Sequence, residues 1–297
     1  MKLEINGMRF GVEIETVNIT REMAARAIQQ VTGGYVNGSR CVAEDGRIWQ
    51  VVTDGSLNDV PCHLRSEVVT PILTYPDDVP VLQQVIRCLR HSGAKINSQC
   101  GIHVHVDASI LETKAIVRLA KYINKQESLI YQALSISQRR ISKYTKPLDA
   151  SFIEKLEKKR SLSMNQLNTL WYGSYNHSPS KYHNSRYAGL NLHSIFEKGT
   201  VEFRWFEGSL HAGKVKSYIQ LCLLLVNKAI NSRGACSTKR TYNPATAKYD
   251  FRVVLLRLGA IGDEYKTLRL HLLNNMPGCA SYKNGIPIKR KTMEEVS

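Results

Sequence analysis

The sequence predicts an α+β fold built on antiparallel strands, and three observations carry this. Asn6-Gly7 and Asp45-Gly46 each separate two short alternating runs, which is a strong short-range hairpin signal. Helical patterns fall between the strands at irregular intervals, unlike the even alternation of a parallel β/α barrel. Several strands are apolar at every second residue, as strands with one covered face are.

The elements follow in order. "KLEI", Asn6-Gly7 and "MRFGVEIET" read as a first hairpin, and residues 20–31 as a helix closed by Gly33-Gly34. "RCVAE", Asp45-Gly46 and "RIWQVV" read as a second hairpin, and "RSEVVTPIL" at 65–73 as a strand ended near Pro71. Residues 77–92 place Leu82, Val85, Ile86 and Leu89 on one helical face, with Gly93 beyond the end. "CGIHVHVD" at 100–107 is a strand, and 113–137 is the longest helical pattern. The basic stretch after it holds a loop and a short charged helix. Residues 172–189, rich in Gly, Ser, Asn, Tyr and His, read as a loop of uncommon length, either a functional loop or a plain surface excursion. A strand at 199–208 and a helix at 214–230 follow. Residues 231–297 are partly helical and end in the basic tail "IKRKTMEEVS".

A length of 297 residues allows one large domain or two modest ones. The longest apolar run, "LCLLLV" at 221–226, is too short to span a membrane, and "MKLEING" has no apolar signal core. Seven scattered cysteines without a C-x-x-C pair read as reduced thiols, so a cytoplasmic location without membrane association is expected. The net charge of +16 is uneven. Residues 1–109 hold 10 Lys+Arg against 12 Asp+Glu, residues 110–230 hold 19 against 8, and residues 231–297 hold 12 against 5. A basic body of this kind fits a nucleotide, a nucleic acid or another polyanion, or simply a solubilising surface.

Four strands carry the chemistry. In "FGVEIET", Phe10, Val12 and Ile14 face one way and Glu13 and Glu15 the other. "CGIHVHVD" sets His103, His105 and Asp107 opposite Ile102, Val104 and Val106. "SEVVT" adds Glu67, and "TVEFRWF" sets Glu202 and Arg204 opposite Val201, Phe203 and Trp205. One such strand is an ordinary solvated face. Four of them supply a set too rich in acids and imidazoles for a net-basic chain. If they share a sheet, the carboxylates repel unless a cation intervenes. Such oxygen ligands suit Mg²⁺ or Mn²⁺. Arg204 beside them matches phosphate geometry, so a nucleoside triphosphate is the implied ligand.

At these residues the sequence resembles the amidoligase family of carboxylate–amine ligases, related in fold to glutamine synthetase and glutamate–cysteine ligase. The resemblance rests on an ordered series: "FGVEIET", "DGSL" at 54–57, "EVVTPIL" at 67–73, "CGIHVHVD", "SRYAGLNL" at 185–192 and "GTVEFRWFEGSL" at 199–210. It implies a curved antiparallel sheet with helices on one face, and on its concave side ATP with two or three Mg²⁺. It implies that Glu13, Glu15, Glu67, His103 and Glu202 would hold metal. His105, Arg186, Asn191 and Arg204 would contact nucleotide or phosphate. Arg204 would also stabilise the transferred group, with Glu67 and Asp54 as candidate bases and Ser56 in a substrate-facing turn. The substrates would be a carboxylate and an amine, on small molecules or peptides. The likeness stops near residue 230, which divides the chain into a catalytic domain at 1–230 and a basic extension at 231–297.

Two other readings use the same residues. A zinc hydrolase would use His103 and His105 as a pair. A non-catalytic nucleic-acid-binding protein would use the basic two-thirds, although no helix-turn-helix, zinc-finger or aromatic RNA-binding signature is present. Trp49 and Trp171 read as core or wall aromatics, His91 as a helix-end residue, Cys100 as a small buried one. The basic run at 139–146 reads as a solvated face, with Arg139 or Arg140 as minor candidates for phosphate contact.

Overall fold

The computed structural model describes residues 4–159, 161–283 and 285. The basic tail at 288–297 lies outside them, as do Lys2 and Leu3 of the first expected hairpin. The strands are β1 (Arg9–Val17), β2 (Tyr35–Asn37), β3 (Arg40–Val42), β4 (Ile48–Val52), β5 (Arg65–Val69), β6 (Leu73–Thr74), β7 (Gly101–Asp107), β8 (Leu190–Asn191) and β9 (Thr200–Glu207). They form one nine-stranded sheet in the order β2-β3-β4-β5-β1-β7-β9-β8, with β6 beside β1. Every strand pair is antiparallel, so the α+β class holds.

The helices are α1 (Arg21–Thr32), α2 (Val79–His91), α3 (Thr113–Ala133), α4 (Gln138–Lys143), α5 (Ala150–Lys158), α6 (Met164–Tyr172), α7 (His193–Lys198), α8 (Ala212–Asn231), α9 (Ala247–Leu258) and α10 (Lys266–Asn274). Local chemistry starts several of them. The Thr20 hydroxyl accepts the Met23 N–H at α1, and Ser163 with Gln166 forms a reciprocal capping box at α6. The helix expected over 113–137 stops earlier. Ser135 takes a left-handed φ of 51°, and Ser137 then caps α4 through the Arg140 N–H.

The hairpin around Asp45-Gly46 forms as β3–β4. Of the one around Asn6-Gly7, the described residues Glu4 and Ile5 lie outside any strand. Ile5 turns into the core instead, and β6 pairs with Arg9 and Phe10 in its place.

The apolar face of the sheet makes the core. Phe10, Val12, Ile14, Ile102, Val104, Val106, Val201 and Phe203 are all buried there, with α1 and α8 against the sheet and α2 and α3 packed on those two helices. Phe206 stacks on Tyr218 of α8 with centroids 4.3 Å apart, a contact of about 0.5–1.5 kcal/mol beyond its buried area. Alternation in β9 is not strict. Ile102 pairs with Phe206 but Val104 with Phe203, so one extra residue is accommodated and Trp205 and Phe206 are both buried. Phe251, Leu255, Leu258, Leu268 and Leu272 of α9 and α10 belong to this same core. Trp49 is a core residue, and no described helix is long and apolar enough to cross a membrane.

Candidate active site

The other face of the sheet gathers the ionisable residues. Register does this directly: Glu15 faces Glu67, Glu13 faces His103, His105 faces Glu202, and Glu202 faces Asn191. Such partners hold their Cβ atoms about 4.5–5.5 Å apart. Arg204 Nη1 donates to Glu202 at 2.5 Å, and Asn191 Nδ2 donates to its other oxygen at 2.6 Å. His103 Nδ1 lies 3.1 Å from Glu13, and its Nε2 lies 3.6 Å from Glu15. Glu15 also accepts the Gly101 N–H at 2.6 Å.

A cleft of about 820 Å³ lies over this floor. Glu13, Glu15, Asp54, Ser56, Glu67, His103, Arg186, Asn191, Glu202 and Arg204 all line it. His105 does not line it and sits within the floor. Its Nδ1 meets Thr200 Oγ1 at 2.9 Å, and that hydroxyl meets Ser194 Oγ at 2.8 Å. Its Nε2 is buried 3.3 Å from Glu13 Oε1, without hydrogen-bond geometry. Asp107, from the same strand, pairs instead with Arg9.

Electrostatics divides the four floor glutamates into two kinds. Burial opposes ionisation in all of them. For Glu13, the opposing pull of His105, His103 and Lys198 prevails and holds its carboxyl well below the usual range. For Glu202, Arg204 and both histidines overcome burial and hold it at about 2. For Glu15, burial and the nearby Asp54 prevail over Arg140, and the carboxyl is pushed up to about 8. Glu67 is driven well above its ordinary value by burial, then by Glu13, Glu15 and Asp54. Burial and Arg204 lower His103 to about 4. His105 goes up, because Glu13 and Glu202 outweigh its burial.

The walls come from segments far apart in the chain. The 54–57 turn is pinned by Leu57, buried against Val17 and Cys100. There the Asp54 carboxylate accepts both the N–H and the hydroxyl of Ser56 at 2.7 Å. Lys181, Tyr182, Arg186 and Tyr187 of the 172–189 loop line the opposite side. The Arg186 guanidinium sits 5.4 Å from the Tyr182 ring centre and 4.8 Å from that of Tyr187.

Two cations of the site were not singled out from the sequence, or only weakly. Lys198, in the last turn of α7, reaches Glu13 at 3.1 Å. Arg140, from the run expected to be a solvated face, is 3 % exposed and lines the cleft, while Arg139 stays at the surface. Gly101 explains the difference. A Cβ there would come within 2.5 Å of the Arg140 guanidinium, which packs flat on the strand and donates to the Arg204 carbonyl at 3.1 Å. Cys100 is fully buried and its thiol is pushed up to about 11 by that burial, which leaves it unreactive.

Among the described residues, two trios place one donor atom each within 4.8 Å of one another: Glu13, Glu67 and His103, and Glu13, His105 and Glu202. Fold and site together define an α+β protein with a carboxylate–imidazole–guanidinium centre on the open face of an antiparallel sheet. The family described as "Putative amidoligase enzyme" matches residues 6–226, and the chain belongs to it. No curated protein matches the chain. Among solved structures it is similar to the crystal structure of the complex between the prokaryotic ubiquitin-like protein Pup and its ligase PafA. The two are 10% identical with a TM-score of 0.36, over 91% of this chain and 63% of that one. The chain thus spans less than two thirds of the length of that structure.

Proposed function

We propose that the protein is an ATP-dependent carboxylate–amine ligase that forms an amide or isopeptide bond through an acyl phosphate, assisted by Mg²⁺ or Mn²⁺. The observation that carries this reading is the meeting of Glu13, Glu67, His103, His105, Glu202 and Arg204 on one sheet face, in a chain of the amidoligase family. The donors fit such ions. Each trio offers two carboxylates and one imidazole, and His105 Nε2 is buried without a hydrogen-bond partner. When bound, divalent ions would neutralise the β- and γ-phosphates of ATP.

The chain's own residues would do the rest. Arg204 uses Nη1 on Glu202 and keeps a buried Nε–H without an acceptor, as does Arg186. Both guanidinium groups line the cleft, and Arg204 would stabilise the charge of the group in flight. Asn191 and Glu202 hold each other and fix that guanidinium. The substrate carboxylate would attack the γ-phosphorus and release ADP. The amine would then attack the acyl carbon and release phosphate, passing a proton to a base. Asp54, engaged by Ser56, and Glu67 both line the cleft and are the candidate bases. The acid and the amine belong to small molecules or peptides. The histidines fall in different trios, which disfavours a zinc hydrolase built on the pair.

The test is phosphate release from ATP with Mg²⁺ across pools of acids and amines, with Mn²⁺ calorimetry in parallel. Wild type is expected to show acid-dependent turnover. Glu13→Gln is expected to lower it by about 10²–10³-fold, in the range found when one charge-stabilising group is removed from an active site. The same variant should lose measurable Mn²⁺ binding. No acid-dependent turnover with any pool, together with Mn²⁺ binding indifferent to Glu13→Gln, would overturn the reading.

A further inference from the structure

A second cavity, of about 450 Å³, lies among the helices. It is lined by α3, the end of α8, α9 and the segment 232–236, with no strand residue and no residue of the cleft over the sheet. Arg118, Lys125, Lys228, Arg233 and Arg257 line it, and no Asp or Glu does. Acids on the surrounding helices are already engaged: Glu127 with Lys239 at 2.7 Å and Asp250 with Arg240 at 3.2 Å. Lys125, Lys228, Arg233 and Arg257 form no ion pair among the described residues. Arg118 donates to the carbonyls of Ala229 and Ile230, at 2.7 and 3.3 Å. It thereby offsets the negative end of α8, which would otherwise repel an anion here.

Cations without counter-ions call for an anion.

We propose that this cavity binds a phosphorylated small molecule. The cations take the phosphoryl oxygens, for which guanidinium forks are well matched. The volume suits a small molecule and not a duplex. Part of the basic excess of residues 110–297 is thereby assigned to a site rather than to solubility.

The test is calorimetry on the full chain at low salt, in EDTA, with ribose 5-phosphate as probe and inorganic pyrophosphate, citrate and ribose as comparisons. Saturable binding of ribose 5-phosphate and of pyrophosphate is expected, and none of ribose. Lys125→Gln/Arg257→Gln should weaken both phosphates by about ten-fold, as loss of charge-assisted hydrogen bonds does. No saturation by about 10 mM, where a specific site would already be filled, overturns the proposal. So does binding unaffected by Lys125→Gln/Arg257→Gln, and so does citrate bound as tightly as pyrophosphate.

Discussion

The floor over the sheet and the cavity among the helices concentrate charge in opposite ways. On the floor, acids and cations interleave: Arg204 on Glu202, Lys198 on Glu13, His103 between Glu13 and Glu15. In the cavity, five cations from three helices and a connecting segment face each other with no acid among them. The floor is internally balanced, and its cost appears as acids shifted both up and down. The cavity is unbalanced, and like charges there repel until something negative arrives. Removing a cation should therefore have opposite consequences in the two places.

The largest effect is expected at the floor. Arg204→Gln strands Glu202, 4 % exposed, without its nearest cation, and breaking a buried ion pair costs about 3–5 kcal/mol. Thermal unfolding without divalent ions measures this. A loss near zero would mean that the interleaving of charge does not hold the floor together.

A smaller effect separates the two regions by pH. The folded-state pKa of Glu15 is raised to about 8 from 4.5, and that of His105 is raised from 6.5. Between pH 6.5 and about 8 the folded protein therefore holds more protons than the unfolded chain, so stability falls as pH rises across this window. Glu13 and Glu202 act the other way and only below 4.5, where stability falls as pH drops. Mn²⁺ should reverse the decline above pH 6.5 by taking the place of the lost protons, which denaturant titrations at several pH values would show. A stability flat from pH 6.5 to 8 in EDTA would break this account.

The smallest effect belongs to the cavity. Lys228→Gln relieves repulsion and should leave the protein as stable as wild type, or more stable by about 0.5 kcal/mol at low salt. The gain should vanish at high salt, as screened charges require. A loss of more than about 1 kcal/mol would show that Lys228 is engaged in the fold.

The floor was legible in the sequence because period-two alternation projects a residue's face directly. Glu13, Glu15, His103 and Glu202 therefore announce a common surface once their strands are neighbours. That neighbourhood is a matter of strand order, which the ordered motif series implied. The 172–189 loop was legible through its length and composition. Lys198 was not, because it lies 185 residues from Glu13 and reaches it only through the adjacency of β1, β7 and β9. Arg140 was only a minor candidate beside Arg139, because burial within a basic run is decided by the missing side chain of Gly101, on another element. Asn-Gly in the first expected hairpin did not reveal that Ile5 turns into the core, because a short apolar run does not say which partner it will find. The cavity left no periodic trace, since its cations come from separate helices with no shared pattern.

Glu13 belongs to both trios. A carboxylate with two oxygens and two claimants makes the two positions interdependent. Loading one would redistribute the negative charge offered to the other, and a triphosphate bridging them would find the pair tuned as a unit. Selectivity among ions would then be a property of the couple, set by how one side chain divides itself.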